Sequence, residues 1–176
     1  MIKLSKVHMT ACLVALMGIY GCETIDCTLN NTVAMTCDFY QDGKAVQLND
    51  TLTVTANNPD VVLVNRKLNA SKLALSLSYF NEVDTLLFNV SSKDYNLTDT
   101  LWIEKTSYNH FESPDCPVNM FHHITSVRST HLFIDSVTIT RADVDFYEDE
   151  NLQIHFYPAA DEPALPRSLG TEQEKQ

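Results

Sequence analysis

Leu73, Leu75, Leu77 and Tyr79 alternate strictly with Ala74, Ser76 and Ser78. Successive side chains of an extended chain point to opposite faces, so a period of two gathers the four large residues on one face of a strand. The same pattern runs through Val33, Met35, Cys37 and Phe39. Short apolar runs follow at Leu52–Val54, Val61–Val64, Leu86–Val90 and Leu101–Ile103, and then at Val118–Arg128, Leu132–Thr140 and Leu152–Tyr157. Between them lie turn formers: Asp42-Gly43, Asn57-Asn58-Pro59-Asp60, Asn81-Glu82, Ser91-Ser92-Lys93-Asp94 and Ser113-Pro114-Asp115. No window sustains a helical period. Eight to ten short strands at this spacing predict an all-β chain built as a β-sandwich, immunoglobulin-like or related.

Composition removes several chemistries. Of the four glycines, Gly18, Gly21 and Gly170 lie near the termini, which leaves Gly43 alone for the domain. A P-loop, a dinucleotide fingerprint and a Gly-x-Ser-x-Gly elbow all need more. The net charge of −11 argues against nucleic acid as a partner, since such surfaces need clustered Lys and Arg.

Residues 1–21 read as an export signal. Lys3 and Lys6 precede an apolar run from Met9 to Tyr20 that is too short to span a bilayer, which takes about 20 residues. The run closes in Ile19-Tyr20-Gly21-Cys22. This resembles a bacterial lipobox, with an aliphatic residue three places before the thiol and a small one directly before it. The resemblance implies that Cys22 accepts a diacylglyceryl thioether and becomes the mature N-terminus. Two or three acyl chains anchor stably where one is marginal. Removal of residues 1–21 takes two lysines and no acid, and so moves the net charge to −13. The expected layout is a tether over 22–31, a sandwich domain over 32–157 and a disordered acidic tail over 158–176. The tail holds three of the six prolines and no aromatic residue.

With Cys12 in the leader and Cys22 acylated, Cys27, Cys37 and Cys116 remain in a disulfide-permitting compartment. Cys37 sits on the apolar face with Met35 and Phe39 and reads as a core thiol. Cys27 and Cys116 lie in polar stretches, and a Cys27–Cys116 bridge is the preferred pairing. Cys27–Cys37 stays open as the alternative.

A weak repeat, Asp-[Ser/Thr]-apolar-x-apolar, recurs at Asp50-Thr51, Asp84-Thr85, Asp99-Thr100 and Asp135-Ser136. It reads as a strand start, in which the Asp side chain closes a turn, the hydroxyl faces solvent and the two apolar residues face the core. It also looks like the O-glycosylation acceptor motif of Bacteroidetes envelope proteins, with Thr51, Thr85, Thr100 and Ser136 as the acceptors. The Asn-x-[Ser/Thr] matches read as turn and strand composition.

Together, the lipobox leader, the early cysteine, the Asp-[Ser/Thr] strand starts, Ser113-Pro114-Asp115-Cys116 before a long strand and the closing Glu150–Tyr157 strand resemble a family of small Bacteroidetes envelope lipoproteins of unknown function. The resemblance covers residues 1–157. It implies an outer-membrane lipoprotein with an all-β body and carries no active site. Pro117 stands where that pattern commonly has a small residue after the cysteine.

Other constellations are thin. His122 and His123 are neighbours on a strand and point to opposite faces, so they cannot chelate one ion. The acids Asp143, Asp145, Glu148, Asp149 and Glu150 lack the spacing and glycine of a calcium loop and read as a solvated turn. Trp102 has Leu101 and Ile103 as neighbours and can face the opposite side of the sheet, but a lone tryptophan is more often core than a carbohydrate platform. The expectation is a monomeric, non-catalytic binding or structural accessory. It would have no metal, cofactor or catalytic residue, would be held to the membrane by its lipid, and would meet an unknown envelope protein. The alternative is a metal- or glycan-binding module on the outer membrane.

Overall fold

The computed structural model describes residues 33–114 and 116–158. The leader, Cys22, Cys27, the tether and all of the acidic tail except Pro158 lie outside them. Phe111–Pro117 belong to one compact unit; residues 33–110 and 118–158 belong to another. In the first, the Cys116 N–H donates to the Ser113 carbonyl at 3.1 Å, and Cys116 is disulfide-bonded.

The second unit is all β. Its strands are β1 (Met35–Gln41), β2 (Lys44–Ala45), β3 (Thr51–Ala56), β4 (Asn58–Lys67), β5 (Lys72–Leu75), β6 (Val83–Ser91), β7 (Asn96–His110), β8 (Asn119–Ser129), β9 (Ile134–Ile139), β10 (Asp143–Val144) and β11 (Leu152–Phe156). The count of eleven exceeds the expected eight to ten because β2 and β10 have two residues each. Such short pairings leave no periodicity to read.

One sheet runs β2-β1-β11-β9, with β5 also paired to β1; the other runs β10-β8-β7-β6-β3-β4. All pairings are antiparallel except β1 with β11, which sets Cys37 beside Leu152 and Phe39 beside Ile154. The Asp42-Gly43 signal is a two-residue hairpin loop: both residues have positive φ, 52° and 71°, as a primed turn requires. Asn57 starts the next turn at φ 44°, but β4 resumes at once at Asn58, so the expected four-residue turn is shorter.

The inward faces of both sheets meet in one core. Met35, Cys37, Phe39, Leu152 and Ile154 come from one side, and Leu52, Val54, Leu86, Phe88, Leu101 and Ile103 from the other; all are buried. The alternation read from the sequence is therefore the alternation of a two-sheet sandwich. The Cys37 thiol is free and fully buried. Desolvation, with lesser help from Asp38 and Glu150, pushes its pKa far up, so it is an inert core group.

Candidate functional site

The largest concentration of buried polar groups lies where β7 runs past the start of β6. Lys105 continues the inward face of β7 after Asp99, Leu101 and Ile103, and is 3% exposed. Its Nζ lies 3.5 Å from Asp84 Oδ2 and donates to the carbonyls of Ser78, at 2.7 Å, and Asn81. Asp84 is 1% exposed. It accepts from the Ser78 N–H at 2.9 Å and from Asn57 Nδ2 at 3.0 Å. Asn57 in turn accepts from the Thr85 N–H at 2.7 Å. The ion pair thus fastens the loop after β5 and the turn before β4 onto β6 and β7.

Cross-strand from this pair, His122 stands opposite Ser107, with Ser107 Oγ and His122 Nδ1 2.8 Å apart. Tyr79 stacks over the imidazole with ring centroids 6.4 Å apart. Burial first, and the Lys105 ammonium second, hold the His122 pKa down at about 4 against the smaller pull of Asp84. The ring is therefore neutral at pH 7. Over Lys105 and Ser107 lies an open groove of about 580 Å³ with Tyr79, Phe80 and Val83 on its rim. The three Lys105 N–H groups have Ser78, Asn81 and Asp84 to satisfy them, so the amine serves as a structural cation. What the groove offers a ligand is the exposed Ser107 hydroxyl and an aromatic rim.

A second buried carboxylate, Asp99, is wholly enclosed. It accepts from the N–H groups of Leu132, Phe133 and Ile134 at 2.8–3.1 Å and from Thr130 Oγ1. These donors hold the crossing from β8 to β9. Desolvation alone would raise its pKa; the hydrogen bonds from Thr130, Ile134, Leu132 and Phe133 outweigh it and hold the carboxyl below the usual range.

Elsewhere, Trp102 is half-buried on the outer face of β7, which corrects its reading as core. Arg128 lies over its ring at 5.2 Å and pairs with Glu104 at 3.7 Å. The cation occupies the face that a sugar would stack on. His122 and His123 do point to opposite faces, one buried and one exposed. His123 pairs instead with Asp143 at 2.6 Å. The acid-rich connection is organised by Arg141, which pairs with Asp145 and Asp149. Among the described residues no three His, Cys, Asp or Glu side chains gather to hold a metal.

In the Asp-[Ser/Thr] repeat, Asp50-Thr51 opens β3 as expected, while Asp84, Asp99 and Asp135 lie within their strands. Thr51, Thr85 and Thr100 are half-buried and Ser136 is exposed. Asp84 and Asp99 lie inside β6 and β7 and are buried, not turn-closing. The signal was present: Asp-x-apolar-x-apolar puts the acid on the same face as the two core residues. Lys105 carries the same signal, two residues beyond Ile103 on the core face of β7; Asn151, outside any strand, carries none. Asn151 is fully buried; its side chain accepts from the Thr36 N–H and donates to the carbonyls of Arg141 and Asp143.

No curated protein and no solved structure matches the chain. Residues 51–156 match the model of a family of unknown function, DUF6452. The match runs from the first residue of β3 to the last of β11 and leaves out β1, which pairs directly with β11 in the same fold. That stretch takes in both buried carboxylates, Lys105, His122 and more than half of the chain, and the protein therefore belongs to the DUF6452 family of unknown function.

Proposed function

We propose that the chain is a lipid-anchored cell-envelope protein of the Bacteroidetes type, a non-catalytic binding or structural accessory whose sandwich is held to the membrane through Cys22. The leader that ends in Ile19-Tyr20-Gly21-Cys22 supports this. The observation that carries it furthest is the disulfide-bonded state of Cys116, since such bonds persist in oxidising compartments outside the cytosol. Cys27 is the proposed partner, because Cys37 is a buried free thiol. Ser136, exposed and beside Asp135, is the best placed of the proposed O-glycan acceptors.

The Cys22→Ala chain is expected to leave the membrane fraction or to accumulate as an uncleaved precursor. The wild type should incorporate labelled fatty acid at Cys22. Membrane retention of a processed Cys22→Ala chain would overturn the anchor. A non-reducing digest of the wild type is expected to join the Cys27 and Cys116 peptides; a Cys27–Cys37 peptide would refute that pairing.

A further inference from the structure

We infer that the end of the sandwich carrying Tyr79, Phe80 and Val83 is a lipid-docking surface that seats against a zwitterionic bilayer, with the Phe80 ring entering the interface. The inference rests on the lipid-anchor reading above.

Topology comes first. Met35, the first residue of β1, pairs with Leu75, the last of β5. The chain arriving from Cys22 therefore enters the sandwich at the end where β5 leaves into residues 76–82. Val83, the first residue of β6, pairs with Glu104, so the part of β7 beyond Glu104 projects at this same end. The most exposed large apolar side chain among the described residues lies at this end. Phe80 is 93% exposed and Tyr79 60%. Val83, Tyr108 and Val118 add further exposed apolar area at this end. Phe80 is the one exposed phenylalanine among the described sandwich residues. At the opposite end Leu68 and Leu132 are exposed to a lesser degree and carry no aromatic ring, and the Tyr95 hydroxyl is bonded to Asp50.

Reach is the second argument. Cys22 lies 11 residues before Val33, and an extended chain of that length spans roughly 40 Å at most. The proposed Cys27–Cys116 bond shortens the tether further, since Cys116 comes three residues before β8 begins. A lipid on Cys22 thus keeps this end of the sandwich within about 40 Å of the bilayer.

The chemistry fits that occupant. A phenylalanine held in water at nearly full exposure gains by burial in the acyl boundary, and a tyrosine beside it keeps its hydroxyl in the headgroups. Glu82 and Glu104 line the groove behind the loop, and the chain is strongly acidic. Neutral headgroups therefore suit this surface better than anionic ones.

The test uses the acylated full-length protein reconstituted into phosphatidylcholine vesicles. Phe80→Trp and Leu132→Trp place a reporter at the two ends of the sandwich, both at exposed positions that tolerate the ring. The parent chain, with Trp102 as its sole tryptophan, supplies the baseline. With brominated lipid, the Phe80→Trp signal is expected to shift to the blue and lose most of its intensity, while the Leu132→Trp signal stays as in water. Failure of the protein to float with vesicles would overturn the anchor, and the docking surface with it. Flotation with an unquenched reporter at position 80, or equal quenching at both ends, would overturn the docking surface alone. A blue shift that grows with protein concentration and ignores bromine would assign the patch to a second copy and refute the lipid.

Discussion

Asp99→Asn is expected to cost about 3–5 kcal/mol of folding free energy, as for other buried charges whose partners are left unmatched. Both carboxylate oxygens accept: Oδ1 from Thr130 Oγ1 and the Leu132 N–H, Oδ2 from the Leu132, Phe133 and Ile134 N–H groups. An amide in either orientation turns an NH₂ toward these donors. Thr130 Oγ1 in turn accepts from the Thr100 N–H at 2.8 Å, so the damage spreads to the start of the crossing. Urea unfolding would measure the loss; a change below about 1 kcal/mol, the size of one ordinary hydrogen bond, would show the anchor to be dispensable. The sign with pH follows from the lowered pKa. The stabilisation is fully present above the unfolded carboxyl value of about 3.9 and is lost as pH falls through the lower folded value. The Asn variant should lose that part of the acid slope.

Lys105→Met is the second large effect, again about 3–5 kcal/mol, because it leaves the Asp84 carboxylate buried without its cation. Asp84→Asn should cost a comparable amount by stranding the ammonium among the Ser78 and Asn81 carbonyls. The double variant should be more stable than the sum of the singles by about 1–3 kcal/mol, the coupling expected of groups in direct contact. Strict additivity would mean that the pair does not act as a unit. The single changes should also loosen the loop after β5, since Ser78 binds Asp84 through its N–H and Lys105 through its carbonyl. Proteolysis between Leu77 and Glu82 would report this.

The amino-acid sequence by itself determined the strands and their inward faces. Leu73, Leu75 and Leu77, and Met35, Cys37 and Phe39, are buried as their period of two requires. Asp42-Gly43 formed its turn because the backbone there needs positive φ. These are local rules, satisfied within a few residues of the chain. Trp102 faces outward by the local rule, because Leu101 and Ile103 on either side of it take the core face. Where charged groups entered the core, the tertiary structure decided. Asp84 and Asp99 share the core face of their strands; they are core acceptors because Asn57 after β3, Lys105 of β7 and the β8–β9 crossing bring donors to them from 21 to 35 residues away. Lys105 became a buried cation because Asp84 of β6 and the carbonyls of Ser78 and Asn81 gather around its ammonium. Burial of a charge depends on partners distant in sequence, since only they can replace the water it gives up. The strand pairing that supplies those partners is a property of the folded chain.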